Sequence, residues 1–241
     1  MDRETLLDNF EVEVALLVDL AGETTQPLRS VAPACAPMTV EDLFGHLGRI
    51  YTGVRSWVLD GRRPDDWPVP ATAASVDWMT AAAHELISVL LPRQARSKCA
   101  TWCATDRTAG FWFRRMAHET AVHRVDVAQA LGAIWNVDDE LGTDGIDEAI
   151  ELWLGTRTGT AVNGSGKTVR LTTDTHHWFL RPLSETVDFP TGGPADATVS
   201  GDTAAVWAWV WGRTDAAHPV EISGDAAAAQ ELRALFARAQ Q

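Results

Sequence analysis

The segment Phe111-Trp-Phe-Arg-Arg-Met-Ala-His-Glu-Thr-Ala-Val-His-Arg-Val-Asp126 constrains this chain more than any other. It reads as a helix, and Glu119 and His123, four residues apart, share one face one turn apart. Trp112, Met116, Glu119, His123, Asp126 and Ala130 form a single stripe along that face. A stripe that faces a core should be apolar, and burying acid and imidazole without partners is costly. An ion pair, a hydrogen-bond network or a bound metal must compensate, and the metal is the favoured reading. A pair to Arg115, four residues before Glu119, is the alternative that spacing leaves open.

A catalytic zinc-like site takes three protein ligands and keeps a fourth position open. His46 is the candidate for the third. It lies on a helix expected from a capping-box variant at Thr39-x-x-Asp42 to about Asp60. Facing helices of a bundle can bring such groups together, and Asp126 could fix the His123 ring from behind. Other tempting pairs fall away. His118 and His123 lie on different faces, so the metalloprotease spacing fails. His176 and His177 are neighbours in a strand and point to opposite sides of it. Cys99-x3-Cys103 has no second pair and reads as partly buried thiols near a loop.

The remaining pattern places these residues. Amphipathic helices are expected at 3–21, from Thr39 to Asp60, at Val76–Leu91 before Pro92, and at 110–131 before Gly132, the recipe for a four-helix bundle. A further helix near Asp144–Thr158 packs on the bundle or bridges from it. The composition changes after Gly159, the Asn-Gly-Ser-Gly stretch that follows is a boundary or hairpin candidate, and the domain boundary is expected at 160/161. Beyond lie short β-type runs at Thr168–Thr173, Trp178–Leu180, Ala197–Ser200 and Val220–Ser223, with helices at Thr203–Trp211 and Asp225–Ala239. The fold class is therefore α+β: a helical bundle over 1–160 and a small α+β domain over 161–241. Trp207, Trp209 and Trp211 fill the core of the small domain or an interface, and Arg213 follows a glycine turn. Its planar fork suits a carboxylate, and a surface arginine in a loop is the plainer reading.

Composition narrows the function classes. Twenty basic against 33 acidic residues give a net charge of −13, which argues against nonspecific binding of nucleic acid or an anionic membrane. Three cysteines, and an N-terminus without the apolar stretch of a signal peptide, point to a reducing cytoplasm.

With these residues in view, the chain resembles the mycothiol-dependent maleylpyruvate isomerase family, whose N-terminal part is a DinB-like bundle. The likeness spans nearly the whole chain. It is most specific at Thr39-Val-Glu-Asp-Leu-Phe-Gly-His46, at the 111–126 segment, and at Trp211-Gly-Arg213 followed by Ser223-Gly-Asp225. The resemblance implies a divalent metal, usually taken as zinc, on His46, Glu119 and His123. It also implies a small sterol-carrier-like C-terminal domain and an activity-linked arginine at Arg213. Met38 stands where members commonly carry Trp, which bears on the shape of the pocket.

The implied chemistry uses mycothiol as thiol cosubstrate, activated by the metal. Its sulfur adds to an electrophilic or unsaturated acid, giving cis–trans isomerisation or S-transfer. A metal-dependent hydrolase using metal-bound water, or a non-enzymatic binding protein on the same scaffold, are the alternatives, because fold likeness does not rank substrates.

Overall fold

The computed structural model describes residues 1–24, 28–66, 76–155 and 163–240, which form two compact units, Met1–Trp135 and Asn136–Gln241. The first is built from helices α1 (Arg3–Glu23), α2 (Val40–Asp60), α3 (Val76–Leu90) and α4 (Ala109–Leu131). The expected capping box at the start of α2 is present. The Asp42 carboxylate accepts from the Thr39 amide at 2.8 Å, and Thr39 Oγ1 accepts from the Asp42 amide at 3.2 Å. Gly61 and Gly132 end α2 and α4 in the left-handed conformation, which glycine adopts without Cβ strain.

Helix α1 packs along α4, and α2 along α3. Leu6, Phe10, Leu17, Leu43, Phe44, Leu47, Met79, Leu86, Trp112, Phe113 and Met116 close the core. Seventeen of the 23 residues of α4 are buried, so it is a central helix rather than one with a single inward stripe. Its polar groups therefore need internal partners. Arg124 pairs with Glu13 of α1, both buried. Tyr51 of α2 donates to Thr120 Oγ1 at 2.7 Å, and the Thr120 hydroxyl donates in turn to the Met116 carbonyl at 2.8 Å. Burial pushes the Tyr51 phenol far above its ordinary range, so it stays neutral.

The second unit opens with α5 (Asp139–Glu148), which runs into a π-helical turn at Ala149–Leu154. Strands β1 (Val169–Thr172), β2 (His177–Pro182), β3 (Val187–Asp188), β4 (Ala197–Ser200) and β5 (Glu221–Gly224) form one sheet in the order β3-β2-β1-β4-β5. The β1–β4 pair is parallel and the others are antiparallel. Helix α6 (Thr203–Trp211) follows β4, and α7 (Ala226–Ala239), capped by Asp225, packs on β1 and β4. Val169, Leu171, Leu180, Ala197 and Val199 of the sheet and Leu232, Leu235 and Phe236 of α7 are buried in the core of this unit. Every residue of α6 is buried, including the three tryptophans, so they fill the core of this unit.

The boundary expected at 160/161 lies outside the described residues. The contacts divide the chain earlier because α5 packs on α6. Trp211 Nε1 donates to the Gly145 carbonyl at 3.3 Å and Trp178 Nε1 to Asp147 at 2.6 Å. A helix that completes the tryptophan core belongs to the second unit rather than to the bundle. The short strand β3 was not expected from sequence: two residues are too few to show a period. No helix among the described residues is long and apolar enough to cross a membrane.

Where α2 and α3 meet, a Cβ on Gly48 would lie 2.6 Å from the Trp78 ring. Gly48→Ala is therefore expected to force Trp78 aside and cost about 1–3 kcal/mol, read as a lower midpoint in denaturant. An unchanged midpoint would mean that the two helices can part without penalty.

Candidate metal centre

Helices α2 and α4 bring together the three side chains singled out by spacing. The capping box fixes where α2 begins, and His46 lies nearly two turns further on. Its Nε2 is 3.1 Å from Glu119 Oε1, and His123 Nε2 lies 3.5 Å from the same oxygen. The imidazoles meet edge to face, with ring centroids 4.9 Å apart. One donor atom from each of His46, Glu119 and His123 falls within 4.8 Å of the other two. The His46 side chain is 36% exposed against 13% for His123, so the cluster opens to solvent on the α2 side.

The surroundings orient each donor. Buried Arg115 donates to Glu119 Oε2 at 2.9 Å and leaves Oε1 to face the imidazoles. The ion pair and the cluster, alternatives on spacing, coexist because the carboxylate has two oxygens. Behind His123, the Nδ1 atom lies 2.9 Å from Asp126 Oδ2, and Asp126 is fully buried. An imidazole that donates Nδ1–H to Asp126 turns its Nε2 lone pair toward the centre. The Cys35 thiol donates to the same Asp126 oxygen at 3.1 Å. Cys35 comes from a short 3-10 turn, Pro33–Cys35, 91 residues away in sequence. No local pattern marks it. Cys35, His123 and Asp126 are themselves close enough to form a second ligand set sharing His123.

The charges are poised by these contacts. Burial alone would raise the Glu119 carboxyl, but hydrogen bonds from His123 and His46 and the charge of Arg115 hold it well below the ordinary carboxylate range. Burial alone would lower His123, but Asp126, Cys35 and Glu119 hold it well above the ordinary imidazole range. The donor set of two imidazoles and one carboxylate, with a carboxylate behind one imidazole, fits a zinc-like divalent ion.

The other sequence candidates do not join this ligand group among the described residues. His118 is fully buried. His176, just before β2, stacks on Trp178, and His177, the first residue of β2, meets Phe179 edge-on. Cys99 and Cys103 are buried free thiols, and neither joins a ligand cluster among the described residues. Arg213 belongs to the second unit. It is half-buried, its amide donates to the Ala208 carbonyl at 2.7 Å, and its Nη1 turns back to the Trp211 carbonyl.

Comparison with known proteins bears on both units. Residues 10–128 match the mycothiol maleylpyruvate isomerase N-terminal domain, and residues 140–231 match the MDMPI C-terminal domain. The chain belongs to the mycothiol maleylpyruvate isomerase family. The crystal structure of the mycothiol-dependent maleylpyruvate isomerase is similar over 93% of this chain and 95% of its own, with a TM-score of 0.60 and 14% identity. That of a histidine-to-alanine mutant of the isomerase covers the same shares, with a TM-score of 0.62. At this identity the likeness shows the fold. No curated protein matches by sequence.

Two outcomes follow from the geometry. Asp126→Asn should keep the fold and weaken divalent-metal affinity by roughly 10- to 100-fold, measured by competition with a chromogenic chelator; an affinity equal to the parent's would remove Asp126 from the site. In metal-free protein, the depressed Glu119 contributes stability present above its ordinary 4.5 and lost as pH falls through its folded value. The raised His123 contributes stability present below its ordinary 6.5 and lost as pH rises through its folded value. Melting temperature in chelator should therefore fall on both sides of that window, and His123→Ala should flatten the alkaline side. Parallel profiles for parent and variant would contradict the coupling.

Proposed function

We propose that this family member is a metal-dependent, mycothiol-using enzyme acting on a small electrophilic or unsaturated acid. The observation that carries the reading is the convergence of His46, Glu119 and His123 within 4.8 Å, in a chain whose two units both match the family. These three residues would hold the ion, and the open side next to His46 leaves room for a further ligand. A divalent ion bound there would favour the deprotonated form of a thiol, a poor nucleophile until ionised.

The protein's own groups set up that chemistry. Arg115 takes one Glu119 oxygen, so the carboxylate offers the other alone. Asp126 keeps His123 facing the centre and balances the charge that gathers on its ring. For isomerisation, the mycothiol sulfur adds to one carbon of the electron-poor alkene, and the π electrons move onto the conjugated carbonyl. The former double bond turns as a single bond. Expulsion of the thiolate then restores the alkene in the other geometry, with no net oxidation. If the adduct is instead kept, the outcome is S-transfer. Arg213, in the second unit, is assigned to a substrate carboxylate, for which its planar fork is suited.

Purified protein should contain about one zinc-like ion per chain, measured by plasma mass spectrometry and lost in His123→Ala and Glu119→Ala. Mycothiol-dependent conversion of maleylpyruvate-type acids should vanish with it. Full turnover in a metal-free variant would sink the reading, and turnover indifferent to mycothiol would turn it toward a hydrolase.

A further inference from the structure

The second unit carries a cation whose charge no described residue neutralises. Arg233 lies on α7, and its guanidinium reaches the end of α6, where Gly212 ends the helix with φ +76°. A Cβ on Gly212 would overlap Arg233 Nη2, so the glycine admits the guanidinium against the backbone. Arg233 Nη1 is buried and has no hydrogen-bond partner. Two other arginines with an unpartnered buried nitrogen, Arg55 and Arg181, differ from it. Their side chains sit in ion pairs with Glu85 and Asp188. Arg233 has none among the described residues.

A neighbouring charge deepens the imbalance. Burial and the positive charge of Arg213 both act to lower the pKa of Arg233. Two guanidiniums are thus held together in a chain of net charge −13. Service to the end of α6 does not account for Arg233. Gln240 Nε2 takes the Val210 carbonyl at 3.2 Å, and Arg213 takes that of Trp211. Arg233 donates to neither. A half-buried cation beside a like charge costs stability unless an anion completes it.

We infer that Arg233, together with Arg213, forms a carboxylate-binding site in the second unit, with Arg233 as its deeper wall. Guanidinium forks grip a planar carboxylate through two parallel N–H···O bonds, and two forks favour a ligand with more than one anionic oxygen pair. The assignment of this carboxylate to the enzyme's substrate rests on the functional reading above. The site itself does not.

Binding of acetate and of maleate, a short cis dicarboxylate, to the full-length protein at constant ionic strength tests this by calorimetry. Parent protein should bind maleate more tightly than acetate. Arg233→Met should weaken maleate by roughly 10- to 100-fold, with the ligand-free melting temperature unchanged or raised, since an apolar side chain replaces an uncompensated charge. Arg233→Lys, which keeps charge without the fork, should fall between. The same loss in a His123→Ala background separates this site from the metal centre, so failure of either proposal leaves the other standing. Arg233→Met protein that melts lower yet binds maleate like the parent would make Arg233 structural and overturn the inference. So would a parent protein that binds no maleate at millimolar concentration.

Discussion

The carboxylate of Glu119 is a charge held inside a helical bundle, and much of the first unit is arranged to make that tolerable. One oxygen faces Arg115 from the preceding turn, and the other faces two imidazoles, one from α4 and one from α2. Without those partners, burial would favour the neutral acid. With them, the ionised form is kept, and its second oxygen is shared by the two imidazoles. The same demand reaches outward: His123, drawn to Glu119, needs Asp126 behind it, and Asp126 in turn engages Cys35. The cluster is a layered network in which each buried polar group is satisfied by the next.

What could be read before the structure follows from range along the chain. Helix spacing set Glu119, His123 and Asp126 on one face because that relation is local and fixed by 3.6 residues per turn. The capping box gave the start of α2, and with it the position of His46. That His46 meets Glu119 across 73 residues is not a local fact; it follows only from the packing of helices in a bundle. Cys35 had no such support. It sits in a three-residue turn with no period, and only the folded connection to α2 brings it to Asp126.

The stripe of Trp112, Met116, Glu119, His123 and Asp126 is one of several largely buried faces of α4. Because α4 is buried on nearly every side, hydrophobic spacing along it cannot distinguish one face as inward. Polar groups stood out by chemistry rather than by pattern. Likewise, Arg213 was visible after its glycine, whereas Arg233 sits in an alanine-rich amphipathic helix where an arginine is ordinary. Its meaning depends on Gly212, 21 positions earlier, and on what its nitrogens fail to touch.

The tryptophan helix α6 has a consequence for the order in which the chain can be assembled. It is apolar on every side and is wrapped by α5, which precedes the sheet, and by α7, which ends at Ala239. During synthesis the four helices of the bundle have all emerged by Trp135. The second unit must keep three tryptophans from open water until more than 25 further residues beyond α6 have been added. Its interval of exposure during translation is therefore set by the distance to α7, and that interval is when such a chain is most open to aggregation.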